Sequence, residues 1–139
     1  MKAILLPFSK KIGIKPSNLS DYLLQLDYSD TTINHIGTTH ASASYALAET
    51  TSGVFLEINF AEIASQTIPI LRSSIVKYKK GGLTTLYSVA KLVDTNVAEI
   101  TKTLLAKKRI IFVIAVKLYN ESKEVVMTGD FEWFVTLKS

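Results

Sequence analysis

Polar and apolar positions along the chain follow two different periods, and the changes between them mark out the elements. Ile4 to Ile12 reads as a short helix closed at Gly13, a residue that accepts the left-handed conformation common just past a helix end. From Tyr22 to Tyr28 the pattern alternates, with Tyr22, Leu24, Leu26 and Tyr28 on one face and Gln25, Asp27 and Ser29 on the other, as in a half-buried strand. Thr38 to Phe55 changes character: Ala41, Ala43, Ala46, Leu47 and Ala48 bring small apolar groups to nearly every face, the signature of a helix enclosed all round. Alternation returns after Pro69 through Ile70, Arg72, Ser74, Val76 and Tyr78, meets Gly81-Gly82, and resumes from Leu83 to Val93. That arrangement predicts a hairpin.

Asn96 followed by Glu99 makes an N-cap with a capping-box pattern, and Val97, Ile100, Leu104 and Leu105 form one apolar stripe of a surface helix. Arg109 to Tyr119 and Val125 to Leu137 are two long β-type runs around Asn120-Glu121-Ser122-Lys123, and they should pair as a second hairpin. The order is strand, buried helix, two strands, surface helix, two strands. It predicts an α+β fold in which an antiparallel sheet wraps the helix that begins near residue 38.

Composition narrows the class. With 139 residues and 47% hydrophobic content, the chain is expected to form one domain over residues 1–139, large enough for a core without staples. There is no cysteine, which removes thiol nucleophiles and every Cys-based metal site. The apolar run after Lys2 stops at Pro7, too short for a signal peptide, and Ile110 to Val116 is far short of a membrane span, so a cytoplasmic protein is expected. A net charge of +4 suits an anionic small ligand and falls short of a nucleic-acid signature. The groups Lys77, Lys79, Lys80 and Lys107, Lys108, Arg109 read first as a solvated turn and a helix C-terminus.

One residue breaks the pattern of the enclosed helix. A helix buried on all sides should carry no unpaired charge, because burial disfavours the ionised form, yet Glu49 lies in it. At about 100° per residue, Thr38, Ser42, Tyr45 and Glu49 share one stripe, a polar seam. Upstream, Asn34, His35, Gly37 and His40 crowd polar groups around the helix N-terminus, where free backbone N–H groups can hold a carbonyl oxygen or an anion. Each has a plainer reading: Glu49 as a surface carboxylate, Asn34 as a turn or capping residue, His40 as a packed histidine. The aromatic stripe Phe131, Trp133, Val135 reads as core or interface packing. His35, His40 and Glu49 fit no compact zinc spacing, and neither a nucleophile elbow nor a phosphate loop occurs, so no metal or cofactor is expected.

The segment Asn34-x-x-Gly37-x-x-His40-Ala41-Ser42-Ala43, followed by Leu47-Ala48-Glu49 and Gly53, resembles the signature of hotdog-fold acyl-CoA thioesterases of the phenylacetyl-CoA thioesterase-like branch. That signature runs Asn-x-x-Gly-x-x-His-Gly-Gly-Ala, with an acidic residue nine positions after the His, where this chain has Glu49. Two departures stand out: Ala41 and Ser42 replace the paired glycines, and Glu replaces the more usual Asp. The resemblance implies a hotdog fold, a long central helix in a curved antiparallel sheet. It implies an acyl-CoA substrate hydrolysed with Glu49 as general base or nucleophile, and a carbonyl polarised by the N–H of Ala41 or Ser42. Asn34 would orient water or carbonyl across a dimer interface, His40 would assist, and Gly37 and Tyr45 would line the substrate site. A homodimer or dimer of dimers is expected, with no nucleic-acid or membrane partner. Two alternatives remain open: a binding module that holds acyl-CoA without chemistry, and a dehydratase or hydratase using His40 and Glu49, which would release no free thiol.

Overall fold

The computed structural model describes residues 2–139. Its strands are β1 (Lys15–Pro16), β2 (Leu24–Leu26), β3 (Thr67–Tyr78), β4 (Leu86–Leu92), β5 (Arg109–Tyr119) and β6 (Val125–Leu137). Its α-helices are α1 (Pro7–Ile12), α2 (Ala41–Asn59) and α3 (Val97–Lys107). The strands form one sheet in the order β1-β2-β4-β5-β6-β3, antiparallel at every pairing.

Period-two alternation does what it should in β5 and β6. Phe112, Ile114, Val116 and Leu118 of β5, with Met127, Phe131, Trp133 and Val135 of β6, turn to one face and are buried there. The expected hairpin forms, with Ile114 opposite Phe131 and Phe112 opposite Trp133. The stripe Phe131, Trp133, Val135 is therefore core packing. Against this face lies α2, about 28 Å long at 1.5 Å per residue, packed on β2, β4, β5 and β6. Ala43, Ala46, Leu47, Ala48, Val54 and Leu56 of α2 are buried, so the enclosed helix is observed. A buried polar tie locks it in place: the Thr51 hydroxyl donates to Leu47 O at 2.7 Å and lies 2.6 Å from Ser88 Oγ, which accepts the Leu24 N–H.

Three boundaries differ from expectation, each for a tertiary reason. Helix α2 starts at Ala41 rather than Thr38, because Thr39 bridges Ile33 and donates its N–H to Gly82 O, while the His40 N–H goes to Thr32 O. Those bonds hold 38–40 extended. At its other end α2 runs past Phe55 to Asn59. Of the strand expected from Tyr22 to Tyr28, only Leu24–Leu26 is regular, and Gln25, expected to face outward, is buried. Gln25 pairs with Lys15 of β1, accepts the Asn18 N–H at 2.7 Å and donates to Asp27 at 2.9 Å.

A further difference concerns topology. Strands β3 and β4 do not form a hairpin: β3 lies on the far edge and pairs with β6, while β4 sits between β2 and β5. Gly81 and Gly82 are not turn glycines, for neither has positive φ, and the positive-φ glycines among the described residues are Gly13 and Gly37. They serve close approach instead. A Cβ on Gly81 would stand 2.8 Å from Thr38 Cγ2, and one on Gly82 would stand 3.3 Å from Thr39 Cβ. The connection from β3 to β4 thus crosses against the segment that leads into α2.

Helix α3 starts as expected, with the Asn96 side chain accepting the Glu99 N–H at 2.9 Å. The reciprocal half of the capping box is absent, since the Glu99 carboxylate accepts from Thr95. Ile100 and Leu104 are buried, but Leu105 is exposed, so the buried stripe is narrower than expected. At the N-terminus a 3-10 turn, Ala3–Leu5, precedes α1, which ends at Gly13 with φ +95°.

Candidate functional site

Glu49 lies in the middle of α2, on the side that faces a cavity of about 770 Å³. Its neighbours along that side are Thr50, Gly53, Leu56, Glu57 and Phe60, the i, i+1, i+4, i+7, i+8, i+11 series that puts residues on one face of a helix. The opposite wall is Phe112, Trp133 and Val135 from the sheet, and Ile100 and Leu104 of α3 contribute to the floor. Ala3, Leu6 and Phe8 of the N-terminal segment close one flank. That segment is held by Glu57, whose carboxylate accepts the backbone N–H of Lys2 at 2.6 Å and of Ala3 at 2.7 Å.

The Glu49 carboxylate is half-buried and has no hydrogen-bond or ion-pair partner among the described residues. Burial alone pushes its pKa above the ordinary glutamate value. Such a group holds a proton more readily and, once ionised, is a stronger base than a solvated carboxylate. The carboxylate thus opens on a largely apolar cavity with no partner of its own among the described residues, a setting in which it can take up or release a proton.

The helix N-terminus forms a second, smaller site. His40 is the N-cap, and its Nδ1 accepts the Ser42 N–H at 3.0 Å. That engages the Ser42 amide and sets Nδ1 of His40 as an unprotonated acceptor. The N–H of Ala41 has no partner among the described residues and opens on a hollow of about 300 Å³ that Asn34, Lys79 and Lys80 also line. Of the two amides expected to polarise a carbonyl, Ala41 is the one left available.

Asn34 holds its own loop together. Its Oδ1 accepts the N–H of Ile36 at 3.1 Å and of Thr38 at 3.0 Å, and its Nδ2 donates to Thr38 Oγ1 at 2.7 Å. Both lone-pair directions of Oδ1 are engaged, and one N–H of the amide is left over. Gly37 supplies the left-handed turn of this loop at φ +80°, and its carbonyl accepts from the Tyr28 hydroxyl. The polar seam is only partly realised. Thr38 precedes the helix, Ser42 is exposed, and the Tyr45 hydroxyl is 2.9 Å from Ser74 Oγ on β3. His35 is exposed, as is His40.

Within one chain these groups do not converge. Eight residues separate Ala41 from Glu49 and nine separate His40 from Glu49, about 12 and 13 Å along the helix axis. An oxyanion donor and a base acting on one carbonyl must each lie within about 3 Å of the reacting atoms. Lys80 pairs with Glu124, while Lys107 and Lys108 end α3. Among the described residues no cluster of three His, Asp or Glu side chains is placed to hold a metal ion, and no helix is long and apolar enough to cross a membrane. Sequence reasoning missed Gly53, Phe112 and Trp133 as cavity walls. The signal available was the helical spacing of Glu49, Gly53, Leu56 and Phe60.

Comparison with known proteins places this geometry in a lineage. The family described as a domain of unknown function, DUF4442, matches residues 2–135. No curated protein matches the chain. Among solved structures, a protein of unknown function from Pseudomonas aeruginosa described as a probable thioesterase superposes with a TM-score of 0.81 at 18% identity, covering 96% of this chain and 89% of its own. A thioesterase from Haemophilus influenzae superposes at 0.75 with 13% identity, covering 98% and 87%. A Bacillus halodurans protein solved with CoA superposes at 0.64 with 21% identity, covering 81% and 69%. The six-stranded antiparallel sheet with a long helix at its centre is the hotdog fold, and the chain belongs to the DUF4442 family.

Proposed function

We propose that this protein hydrolyses the thioester of an acyl-CoA or a related carrier, with Glu49 as the reacting carboxylate. One observation carries the reading: an unpartnered, half-buried carboxylate whose pKa burial raises, at the head of an apolar cavity. The hotdog relatives described as thioesterases, and the one solved with CoA, support the same chemistry. Glu49 removes a proton from a water as that water attacks the thioester carbonyl, or attacks the carbonyl itself to form an anhydride that water then opens. The developing oxyanion needs a donor, and the free N–H of Ala41 at the start of a 19-residue helix is suited to that charge. In the first route the thiol leaves with the proton that Glu49 took from water; in the second the thiolate leaves as the anhydride forms and is protonated from solvent, and the water that opens the anhydride yields the free acid and restores Glu49.

Since Ala41 and Glu49 of one chain are about 12 Å apart, the complete site in this reading combines Glu49 of one copy with the α2 N-terminus of a second. The edge of the sheet supports such pairing. Strand β3 is 12 residues long, has no neighbour on its outer side, and exposes Ile70 and Ile75. A long apolar edge of this kind is a template for a further strand.

The test is a panel of acyl-CoAs with a thiol-detecting reagent. Glu49→Gln keeps shape and hydrogen-bonding capacity but is neither base nor nucleophile, so the folded variant should lose about 10²–10⁴-fold in rate. Thiol release at the wild-type rate by that variant would overturn the assignment. Turnover of an enoyl or hydroxyacyl thioester without thiol release would replace it with hydratase chemistry.

A further inference from the structure

We propose that the outer face of the sheet, around Ile111 and Phe134, is a docking surface for a second copy of this chain, the two sheets stacking face to face. This contact is separate from the pairing of β3 edges on which the two-copy catalytic site rests, and it involves no catalysis.

The helices leave that face bare. Helix α2 packs on the side of Phe112, Ile114 and Phe131, and Ile100 and Leu104 of α3 line the same cavity as Phe112, Trp133 and Val135. Leu6 and Phe8, on either side of the start of α1, line that cavity too. Alternation sends the intervening residues the other way, Ile111, Val113, Ala115 and Lys117 on β5 and Asp130, Glu132 and Phe134 on β6. None of these is buried. The register sets them in rows across the strands: Ile111 stands opposite Phe134, and Phe134 opposite Ile70 of β3. In the row before it, Arg109 and Thr136 lead to Ile68, and in the row after it Val113 stands beside Glu132. Ile70 is 54% exposed and Ile111 45%. A single exposed isoleucine is ordinary, but an apolar block three strands wide marks a contact surface.

Size and charge select a second sheet as the occupant. At about 3.3 Å per residue the 11 residues of β5 run about 36 Å, and four strands about 4.8 Å apart make about 19 Å. The footprint is about 700 Å², close to the roughly 800 Å² that each partner brings to a stable interface. Beyond the apolar rows come Glu132 and then Asp130, followed by a row with Lys117 and Lys77, and Lys91 stands opposite Ala115. An anionic bilayer or a nucleic acid laid on this face would meet the two carboxylates. A second copy brings lysines of its own to them, as a self-complementary contact requires.

Two variants and one probe test this without any substrate. Phe134 and Ile111 point away from the core, so Phe134→Lys should keep its melting curve and circular dichroism spectrum. By light scattering, wild type should contain four copies where both contacts form, and Phe134→Lys should halve that mass. The chain has no cysteine, so Ile111→Cys offers a short bis-maleimide one thiol per copy. Through edge pairing alone two such thiols stand five strand spacings apart, about 24 Å, whereas face-to-face stacking brings them within reach. A covalent pair is therefore expected. A wild-type dimer that Phe134→Lys converts to monomer would sustain the face contact and remove the edge-built catalytic site. A monomeric wild type, or an unchanged mass in folded Phe134→Lys together with no covalent pair from Ile111→Cys, overturns the proposal. Binding to vesicles of phosphatidylglycerol that Phe134→Lys abolishes, with the mass unchanged, would give the face to lipid and overturn it as well.

Discussion

The indole N–H of Trp133 donates to Ser52 Oγ at 3.0 Å, and Ser52 in turn donates to the carbonyl oxygen of Glu49 at 2.7 Å. The turn of α2 that carries the carboxylate is thereby tied to β6, on the same wall as the cavity. Both Trp133 and Ser52 are buried, so neither polar group can turn to water instead. Ser52→Ala should leave the indole N–H unsatisfied and cost about 1–3 kcal/mol in denaturant unfolding. Adding Trp133→Phe should recover part of that loss, and a strictly additive double mutant would show that the two side chains do not interact.

The position of Glu49 also sets a pH dependence. Because burial disfavours its charged form, the folded carboxyl keeps its proton to a higher pH than the unfolded one. The folded state then binds more protons, so this group's contribution to stability is fully present below the unfolded-state pKa and is lost as pH rises through the raised folded value. Glu49→Gln should therefore gain on wild type in unfolding free energy as pH climbs from about 4 to about 7. A constant difference across that range would mean the carboxylate is solvated. The rate of thioester hydrolysis should rise with pH over an interval displaced above the ordinary glutamate range.

A single methyl group at Gly81 should disturb the approach to α2. The Cβ would meet Thr38 Cγ2 at 2.8 Å, and Thr38 cannot simply rotate away, since its Oγ1 accepts from Asn34 Nδ2 at 2.7 Å. Gly81→Ala is expected to cost about 1–3 kcal/mol by overpacking, read from the shift in the denaturant midpoint. It should also lower thioester turnover, because the displaced loop leads directly to the Ala41 N–H.

Assembly is testable at the free edge of the sheet. Ile75 on β3 is 73% exposed in the single chain. Wild type is expected to be at least a dimer by light scattering at micromolar concentration, and Ile75→Lys should shift it toward monomer while leaving the far-UV circular dichroism spectrum unchanged. A monomeric wild type would remove the two-copy site described above.

The type of each long element is legible in the chain alone. The small apolar residues of 41–48 mark a helix that must be enclosed, and the two alternating runs at the C-terminus can bury one face only as paired strands. The chain also exposes Glu49, because a carboxylate among alanines has no local explanation. Local pattern could not decide which strand lies beside which. Val76 and Val89 each belong to an alternating strand beside a glycine pair, yet Val76 pairs with Gly129 and Val89 with Lys117. The reason is that Gly81 and Gly82 answer to Thr38 and Thr39 from another part of the chain rather than to a turn of their own.

The same division runs through the site. Asn34 and His40 have side chains fit for either loop architecture or chemistry, and only folding shows Asn34 bonded to Thr38 and His40 capping Ser42. Gly53 and Trp133, 80 positions apart, become facing walls because α2 lies across β6. A residue's type and local period are properties of the chain and can be read from it. Which groups share a cavity is set by long-range packing, which no local pattern encodes.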